Sequence, residues 1–450
     1  MSGIRANESG TTPPEESFAL VSYSPTTSNY RHEEAGYHNR EEAGDHALAQ
    51  AVEAVTTTTL VTPESQMPDN MTTPVDATDT AGSGQQVAAK YLVTERHHPV
   101  NSKKGRVGHL INTYLISNSD EYSRLTNLRE LGWKNPAGDI FFQKQRHNAD
   151  NADDKMSMIF YDTMRHIGIE MQKKTGTLVI DKSAIISPHI LDMCCAPGGF
   201  LTTSMDINPS AQALSFSLPA SEGGHKMPFS PPPNLELRFL DLTMLAADMG
   251  VTEIPTEHPD AENFLPRQFS PDKLFSLVIC DGQVLRPNVH KRATYRQNRE
   301  ACRLTVTQFA LGLEHVQPGG TMVVLLIRVE MSYKMCCVYK FTKFSSVQVF
   351  KPVKHHAKRS SFYMVATNVQ SRHPEAVLAI QFWKEQWTLA TFGSDEEYEE
   401  DVLEHWAESE KVIGVFGEEL VKLGMEVWDI QAKALSRAPF IKNQIASTGI

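Results

Sequence analysis

Short apolar runs alternate with helical patterns between about residues 190 and 366, and this alternation constrains the fold more than any other feature of the sequence. Helical segments lie between several of the runs, notably Arg299 to His315. Strands that alternate with helices predict an α/β sheet of the doubly wound type. The strand-like runs are 190–193, 213–218, 235–240, 274–280 and 321–327, with 347–350 and 362–366 as a closing pair.

One amphipathic helix is predicted just before the first strand, from Asp154 to Lys174. Its apolar residues recur at spacings of three and four, which places them on one face of a helix. Gly176 suits a stop just beyond it, since glycine readily adopts the left-handed conformation of a helix end. The apolar residues are Met156, Phe160, Met164, Ile167 and Met171.

The two ends of the chain differ in composition from its centre. Residues 1–88 are rich in Ser, Thr, Pro, Glu and Gly, and too poor in apolar residues to offset chain entropy, so a disordered tail is expected. Order is expected to begin near Val87. Residues 371–450 predict a helical extension with an acidic run, 395–401, at a solvated helix start. A single α/β domain, 89–370, is expected between them.

Composition points to an intracellular protein, cytoplasmic or nuclear. The six cysteines, as two adjacent pairs and two singletons, lack the spacing of a disulfide framework or a zinc site. The first residues are polar, and no apolar run approaches the roughly 20 residues of a membrane span. A formal net charge of -11 is not typical of a nucleic-acid-binding chain, although acidic tails can mask a basic face.

The first strand ends in an acid and a turn that suit a ligand site. Asp192 is followed by Ala196-Pro197-Gly198-Gly199-Phe200, which leads into a helical pattern. Ligands of such sheets bind at the carboxyl ends of the strands, and glycines let the backbone approach them closely. A GxGxxG fingerprint is absent, which disfavours NAD and FAD. An ordinary strand-to-helix turn remains the alternative.

Two further strands also end in aspartate. Asp241 follows the third strand and Asp281, with Gly282, follows the fourth. Tips of parallel strands lie side by side, so Asp241 could accept a hydrogen bond from an adenine amino group and Asp281 could face a methyl donor. Each could instead be a helix N-cap.

Basic residues concentrate beside these tips. Such clusters indicate a polyanion such as RNA, or else a solvated surface that balances the acidic ends. One cluster comprises Arg286, His290, Lys291, Arg292, Arg296, Arg299 and Arg303, and the other comprises Lys334, Lys340, Lys343, Lys351, Lys354, His355, His356, Lys358 and Arg359.

Together these motifs resemble the FtsJ-like (RrmJ-type) ribose 2'-O-methyltransferases, in a form closest to a fungal branch, over roughly residues 150–368. The resemblance implies a Rossmann-like fold, S-adenosyl-L-methionine (SAM) as the cofactor and RNA as the substrate. It assigns Asp192, Ala196, Pro197, Gly198, Gly199, Phe200 and Asp241 to the cofactor and Asp281 to catalysis. Gly319-Gly320, Lys351-Pro352 and 359–363 are similar to the later motifs of the family.

The family's Lys-Asp-Lys-Glu tetrad is incomplete in this sequence. Leu325 stands at the second lysine, with Arg328 the nearest cation, and Ser361 stands at the glutamate. Lys155 and Arg165 are the candidates for the first lysine. The acid expected near Phe216 to Pro219 is missing. Arginine keeps its proton and is a poor base, so weak or absent catalysis is expected.

Three functions remain open at this point. The first is a SAM-dependent RNA methyltransferase, the second is a degenerate methyltransferase fold that binds RNA or protein without catalysis, and the third is a methyltransferase of small molecules.

Overall fold

The computed structural model describes residues 103–181, 188–284 and 292–442, all within one compact unit, Asp79–Ile450. The expected disordered tail, 1–88, and the expected onset of order near Val87 lie outside these residues. So do Arg286, His290 and Lys291 of the first basic cluster.

Seven strands form one mixed sheet in the order β3-β2-β1-β4-β5-β7-β6. Strands β1 to β5 are parallel, while β7 runs antiparallel to β5 and β6. This arrangement confirms the predicted doubly wound sheet, and the chain reverses its direction of winding between β1 and β4, where such sheets bind ligands. The strands are β1 His189–Asp192, β2 Gln212–Ser217, β3 Leu235–Phe239, β4 Phe275–Cys280, β5 Val316–Ile327, β6 Ser346–Phe350 and β7 Ser361–Val369.

Nine helices are described around the sheet, including the predicted one before β1. That helix is capped at its start by the Asp153 side chain, and it ends at Gly176 in the left-handed conformation. The helices are α1 Lys103–Asn118, α2 Asp120–Lys134, α3 Pro136–Asp150, α4 Asp154–Thr175, α5 Gly199–Ile207, α6 Arg296–His315, α7 Ser332–Phe341, α8 Pro374–Phe392 and α9 Asp395–Ser436.

Helices α1 to α3 were not predicted from the sequence. A usable signal was present, since Val107, Ile111 and Leu115 are buried at spacings of four. The N-caps Ser119 and Asn135 then separate the three helices.

The predicted C-terminal helices are present. Helix α8 packs on α6, while α9 packs on α1, α2 and α7. The acidic run starts α9 as expected, behind a capping box formed by Ser394 and Glu397.

Residues alternate between the two sheet faces with a period of two. One face, here the α4 face, packs Ile190, Ile279 and Val323 against α4 and α5. The opposite face packs Leu191 and Val278 against α6, α7 and α8. By this alternation, Asp192, Asp281, Leu325 and Tyr363 all fall on the α4 face.

Candidate active site

A cavity of about 740 Å³ opens at the carboxyl ends of the parallel strands. This volume lies within the range of roughly 300–1,000 Å³ that is typical of small-molecule sites. Its walls come from the loop after β1, the ends of β2, β3 and β4, and the sides of α4 and α6. Residues that line it include Phe160, Met164, Met193, Cys194, Glu222, His225, Gln283, Arg292, Arg296, Glu300, Leu325, His356 and Arg359.

Five of the predicted site residues line this cavity: Ala196, Pro197, Phe200, Asp241 and Asp281. The other three, Asp192, Gly198 and Gly199, are not among the lining residues.

The two glycines permit close approach to protein atoms. Gly198 has a φ of 97°, and a Cβ built there would lie 2.7 Å from side-chain atoms of Met227 and Phe229. A Cβ on Gly199 would lie 2.0 Å from the carbonyl oxygen of Tyr161 in α4. The loop therefore needs glycines because α4 and the segment after β2 pack directly upon it.

Asp241 is held by side chains on both sides of the cavity. Its Oδ1 accepts hydrogen bonds from the backbone N (2.9 Å) and Oγ1 (2.7 Å) of Thr243, and its Oδ2 accepts one from Arg296 (2.6 Å). Burial favours the neutral acid, but the Arg296 charge and these hydrogen bonds outweigh it and lower the pKa of Asp241. Asp241 is thus an oriented carboxylate.

The arginines of α6 belong to this same buried network. Arg296 and Arg303 both bind Glu300, and Arg303 also donates to Thr391 of α8 (3.0 Å) and lies 5.7 Å from the Trp387 ring centroid. Arg299 donates to the Gly393 carbonyl oxygen and pairs with Asp395.

Burial corrects one interpretation of the sequence. The side chains of Arg296, Arg299 and Arg303 are no more than 8% exposed, so they cannot supply an exposed surface for a polyanion. Their charges are paired with Glu300 of the same helix and with the sequence-distant Asp241 and Asp395.

Asp192 is fully buried and Asp281 is partly buried, both on the α4 face. The Asp192 Oδ1 accepts a hydrogen bond from the Cys194 backbone N (3.2 Å), whereas Asp192 Oδ2 and Asp281 Oδ1 have no partner. Burial raises the pKa of Asp281 to about 7. Burial, with the nearby Asp281 charge, also raises the pKa of Asp192 well above its usual range.

Gly282 is fixed by a residue that the sequence did not single out. Gln308 of α6 accepts a hydrogen bond from the Gly282 N (2.9 Å) and donates to its carbonyl oxygen (3.3 Å). A Cβ on Gly282 would lie 2.4 Å from Cys194 Sγ, so the turns after β1 and β4 are in contact.

None of the candidate cations of the tetrad lines the cavity. Lys155 is exposed, and Arg165 pairs with Asp206 (2.8 Å). Strand β5 ends at Ile327, yet Arg328 adopts a φ of 54° and binds Glu330 (3.1 Å). Leu325, the residue at which the family resemblance would place the second lysine, lines the cavity with an apolar side chain.

The second basic cluster divides between buried and exposed residues. Lys351 is buried and donates to the carbonyl oxygens of Arg359 (2.8 Å), Ser361 (2.8 Å) and His356 (3.3 Å). Lys354 and Arg359 are exposed, and Arg359 lines the cavity. Cationic groups therefore lie at the rim.

Other lining residues escaped the sequence analysis. Glu222 and His225 lie in the segment that joins β2 to β3, whose irregular sequence offers no periodic signal. His225 also contacts Phe160 of α4, with ring centroids 5.9 Å apart.

None of the helices within the described residues combines the length and the apolar character of a membrane span.

In a comparison with known protein families, residues 169–369 match the model of the FtsJ-like methyltransferases. A comparison with curated protein sequences gave no match.

Solved structures resemble parts of the chain at low identity. A protein described as a ribosomal RNA methyltransferase from Plasmodium falciparum is 18% identical, over 46% of this chain and 96% of that one, with a TM-score of 0.31. The N-methyltransferase NodS from Bradyrhizobium japonicum is 14% identical, over 46% and 98%, with a TM-score of 0.28. Human N-acetylserotonin methyltransferase is 12% identical, over 56% and 68%, also with a TM-score of 0.28. At these values the similarities carry no inference about a substrate.

Proposed function

Since the chain contains an FtsJ-like methyltransferase domain at residues 169–369, we propose that it is a SAM-dependent methyltransferase that acts on RNA, at a ribose 2'-hydroxyl. The observation that carries this proposal is the cavity at the switch of the sheet, where Asp241 and Asp281 lie together.

The residues around the cavity suit the methyl donor. Ala196, Pro197 and Phe200 offer an apolar wall, and Asp241 an ionised acceptor for an adenine amino group. Asp281 Oδ1 is a buried acceptor without a partner, which is costly unless a ligand uses it. When bound, SAM supplies an electrophilic methyl group on a positively charged sulfur.

Asp281 is the group that can take the proton of the attacking hydroxyl. Its pKa of about 7 leaves a substantial ionised fraction at neutral pH while keeping it a far stronger base than an ordinary aspartate. In the balanced step, the hydroxyl proton moves to the carboxylate, the oxygen forms a bond to the methyl carbon, and the sulfur–carbon bond breaks. The products are a methyl ether, S-adenosylhomocysteine (SAH) and neutral Asp281.

Cations at the rim support an RNA substrate. Arg359 is exposed and lines the cavity, and Lys354 is exposed in the same loop. Such side chains bind the phosphate groups of RNA and thereby position it independently of its base sequence.

Leu325 favours a second candidate, a methyltransferase fold that binds RNA without modifying it. An apolar side chain beside Asp281 removes the cation that would orient a hydroxyl there. The two candidates differ in turnover and not in binding.

The proposed function is tested by methyl transfer from radiolabelled SAM to total RNA, with Asp281→Ala as the inactive control. We expect label that is removed by ribonuclease and not by protease, and at least a ~10²-fold loss in the variant. SAM binding without any transfer would instead support the second candidate.

A further inference from the structure

Two carboxyl groups, of the fully buried Asp192 and the partly buried Asp281, lie at the ends of the adjacent strands β1 and β4 at the switch of the sheet. Asp192 is in register with Ile279 across the parallel strands β1 and β4, and Asp281 lies two residues beyond Ile279 on the same face. Each has one buried oxygen without a hydrogen-bond partner. Ionisation of both carboxyl groups is costly without a cation, because the two charges repel each other and the buried oxygen of each has no hydrogen-bond donor.

The groups that face the pair supply no such cation. Cys194 and Cys195 follow β1, Cys280 ends β4, and Tyr363 lies on β7. Burial, together with the nearby aspartates, raises the pKa of all four side chains. The neighbours on α5, α6 and β5 are the uncharged Phe200, Gln308 and Leu325.

The arginines that line the cavity do not hydrogen bond to the pair. Arg296 binds Asp241 and Glu300, Arg292 lies 4.0 Å from Glu300, and Arg359 is exposed. Among the described residues, therefore, no cation is hydrogen bonded to Asp192 or Asp281.

We propose that Asp192 and Asp281 hold a single proton between them in the free protein, and that they release it when a cationic methyl donor enters the cavity. This inference rests on the proposed function, since it takes SAM as the ligand. The positive charge of the sulfonium group stabilises the ionised pair, as the ammonium group of a lysine at position 325 would, so that Asp281 becomes more fully ionised when the donor is present. The released proton goes to solvent, and no bond of the donor changes.

The consequence is a difference between SAM and SAH, which share every group except the methyl and its charge. The pKa of about 7 for Asp281 places the effect near neutrality. SAM should bind more tightly as the pH rises through this value, while the affinity for SAH should change little.

Calorimetric titration of the full chain tests this, in buffers that differ in ionisation enthalpy, at pH 6.5 to 7. We expect SAM to release roughly half a proton per site at pH 7 and more at pH 6.5, because the pKa is about 7, and SAH to release almost none. Leu325→Lys should abolish the release, because its ammonium group ionises the pair beforehand, and Leu325→Met should retain it. Equal release with SAM and SAH, or undiminished release in Leu325→Lys, would overturn the inference.

Infrared spectroscopy of the free protein separates this inference from the proposed function. A band of a protonated carboxyl group should be present at pH 6 and vanish as the pH rises through about 7. Its absence at pH 6 would refute the shared proton. If the band is present but neither SAM nor SAH binds, the proposed function fails, and with it the release on donor binding.

Discussion

Asp281 and Leu325 each come one residue after the paired residues Cys280 and Val324 of β4 and β5, and both line the cavity. A carboxylate and an isobutyl group are therefore neighbours where a carboxylate and an ammonium group would attract each other. Burial raises the pKa of Asp281 to about 7, and Leu325 has no charge that would lower it.

We expect the methyl-transfer rate to rise with pH through about 7 and then level off, because Asp281 accepts a proton only when it is ionised. The Asp281→Asn variant should lose ~10²- to 10⁴-fold in turnover, since the amide cannot accept the proton. Initial rates between pH 5.5 and 8.5, at SAM concentrations well below saturation so that they report the pKa of the free protein, check both. A flat wild-type profile would show that another group is the base.

Leu325→Lys should raise turnover at pH 6, because its ammonium group lowers the pKa of Asp281 and so increases the ionised fraction. It should also shift the pH profile to lower pH. Leu325→Met is the matched control, being similar in size without charge, and it should leave the profile in place. Methyl-transfer rates of the wild type and the two variants at pH 6 and pH 8 test this prediction. An unshifted pH profile in Leu325→Lys would mean that residues 281 and 325 do not interact.

Arg296→Met should destabilise the fold by about 3–5 kcal/mol, since Glu300 would lose a buried ionic partner and Asp241 its only guanidinium among the described residues. Lys134→Met is the control, because its pair with Glu130 is largely solvent-exposed and should be worth less than ~1 kcal/mol. Urea unfolding measures both. Similar losses in the two variants would argue against a buried network.

Lys351→Met should cost at least ~2 kcal/mol, because it leaves the carbonyl oxygens of His356, Arg359 and Ser361 without their shared donor. Lys155→Met is the surface control, and it should leave both stability and methyl transfer unchanged because Lys155 is exposed and remote from the cavity walls. Thermal unfolding and initial rates test the pair of variants. Loss of activity in Lys155→Met would restore Lys155 as a tetrad candidate.

The sheet could be predicted because its signals are local. Each strand is a short apolar run, and the acids at the tips of β1, β3 and β4 follow in the same few residues. Strand β5 is the exception, since it begins at Val316 and not at Thr321. Its pairing with β4 is irregular where the chain passes through Gly319-Gly320.

The chemistry of the site could be predicted only in part, because its partners are distant in sequence. Arg296 was expected to contact a polyanion, whereas it binds Asp241, 55 residues earlier. Nothing in the local sequence indicates that Gln308 holds Gly282, or that Met227 and Phe229 lie over Gly198. These contacts depend on how α6 and the segment after β2 fold back upon the strand tips.

The central claim is that this cavity directs a methyl group to a ribose hydroxyl of RNA, and alkaline hydrolysis of the labelled RNA tests it most directly. Alkali cleaves RNA through the free 2'-hydroxyl, so methylation of that oxygen protects the adjoining phosphodiester bond. We predict that the label from wild-type protein appears in alkali-resistant dinucleotides and is absent with Asp281→Asn. Label in mononucleotides, which would mean methylation of a base, would contradict the account, as would equal labelling by the two proteins.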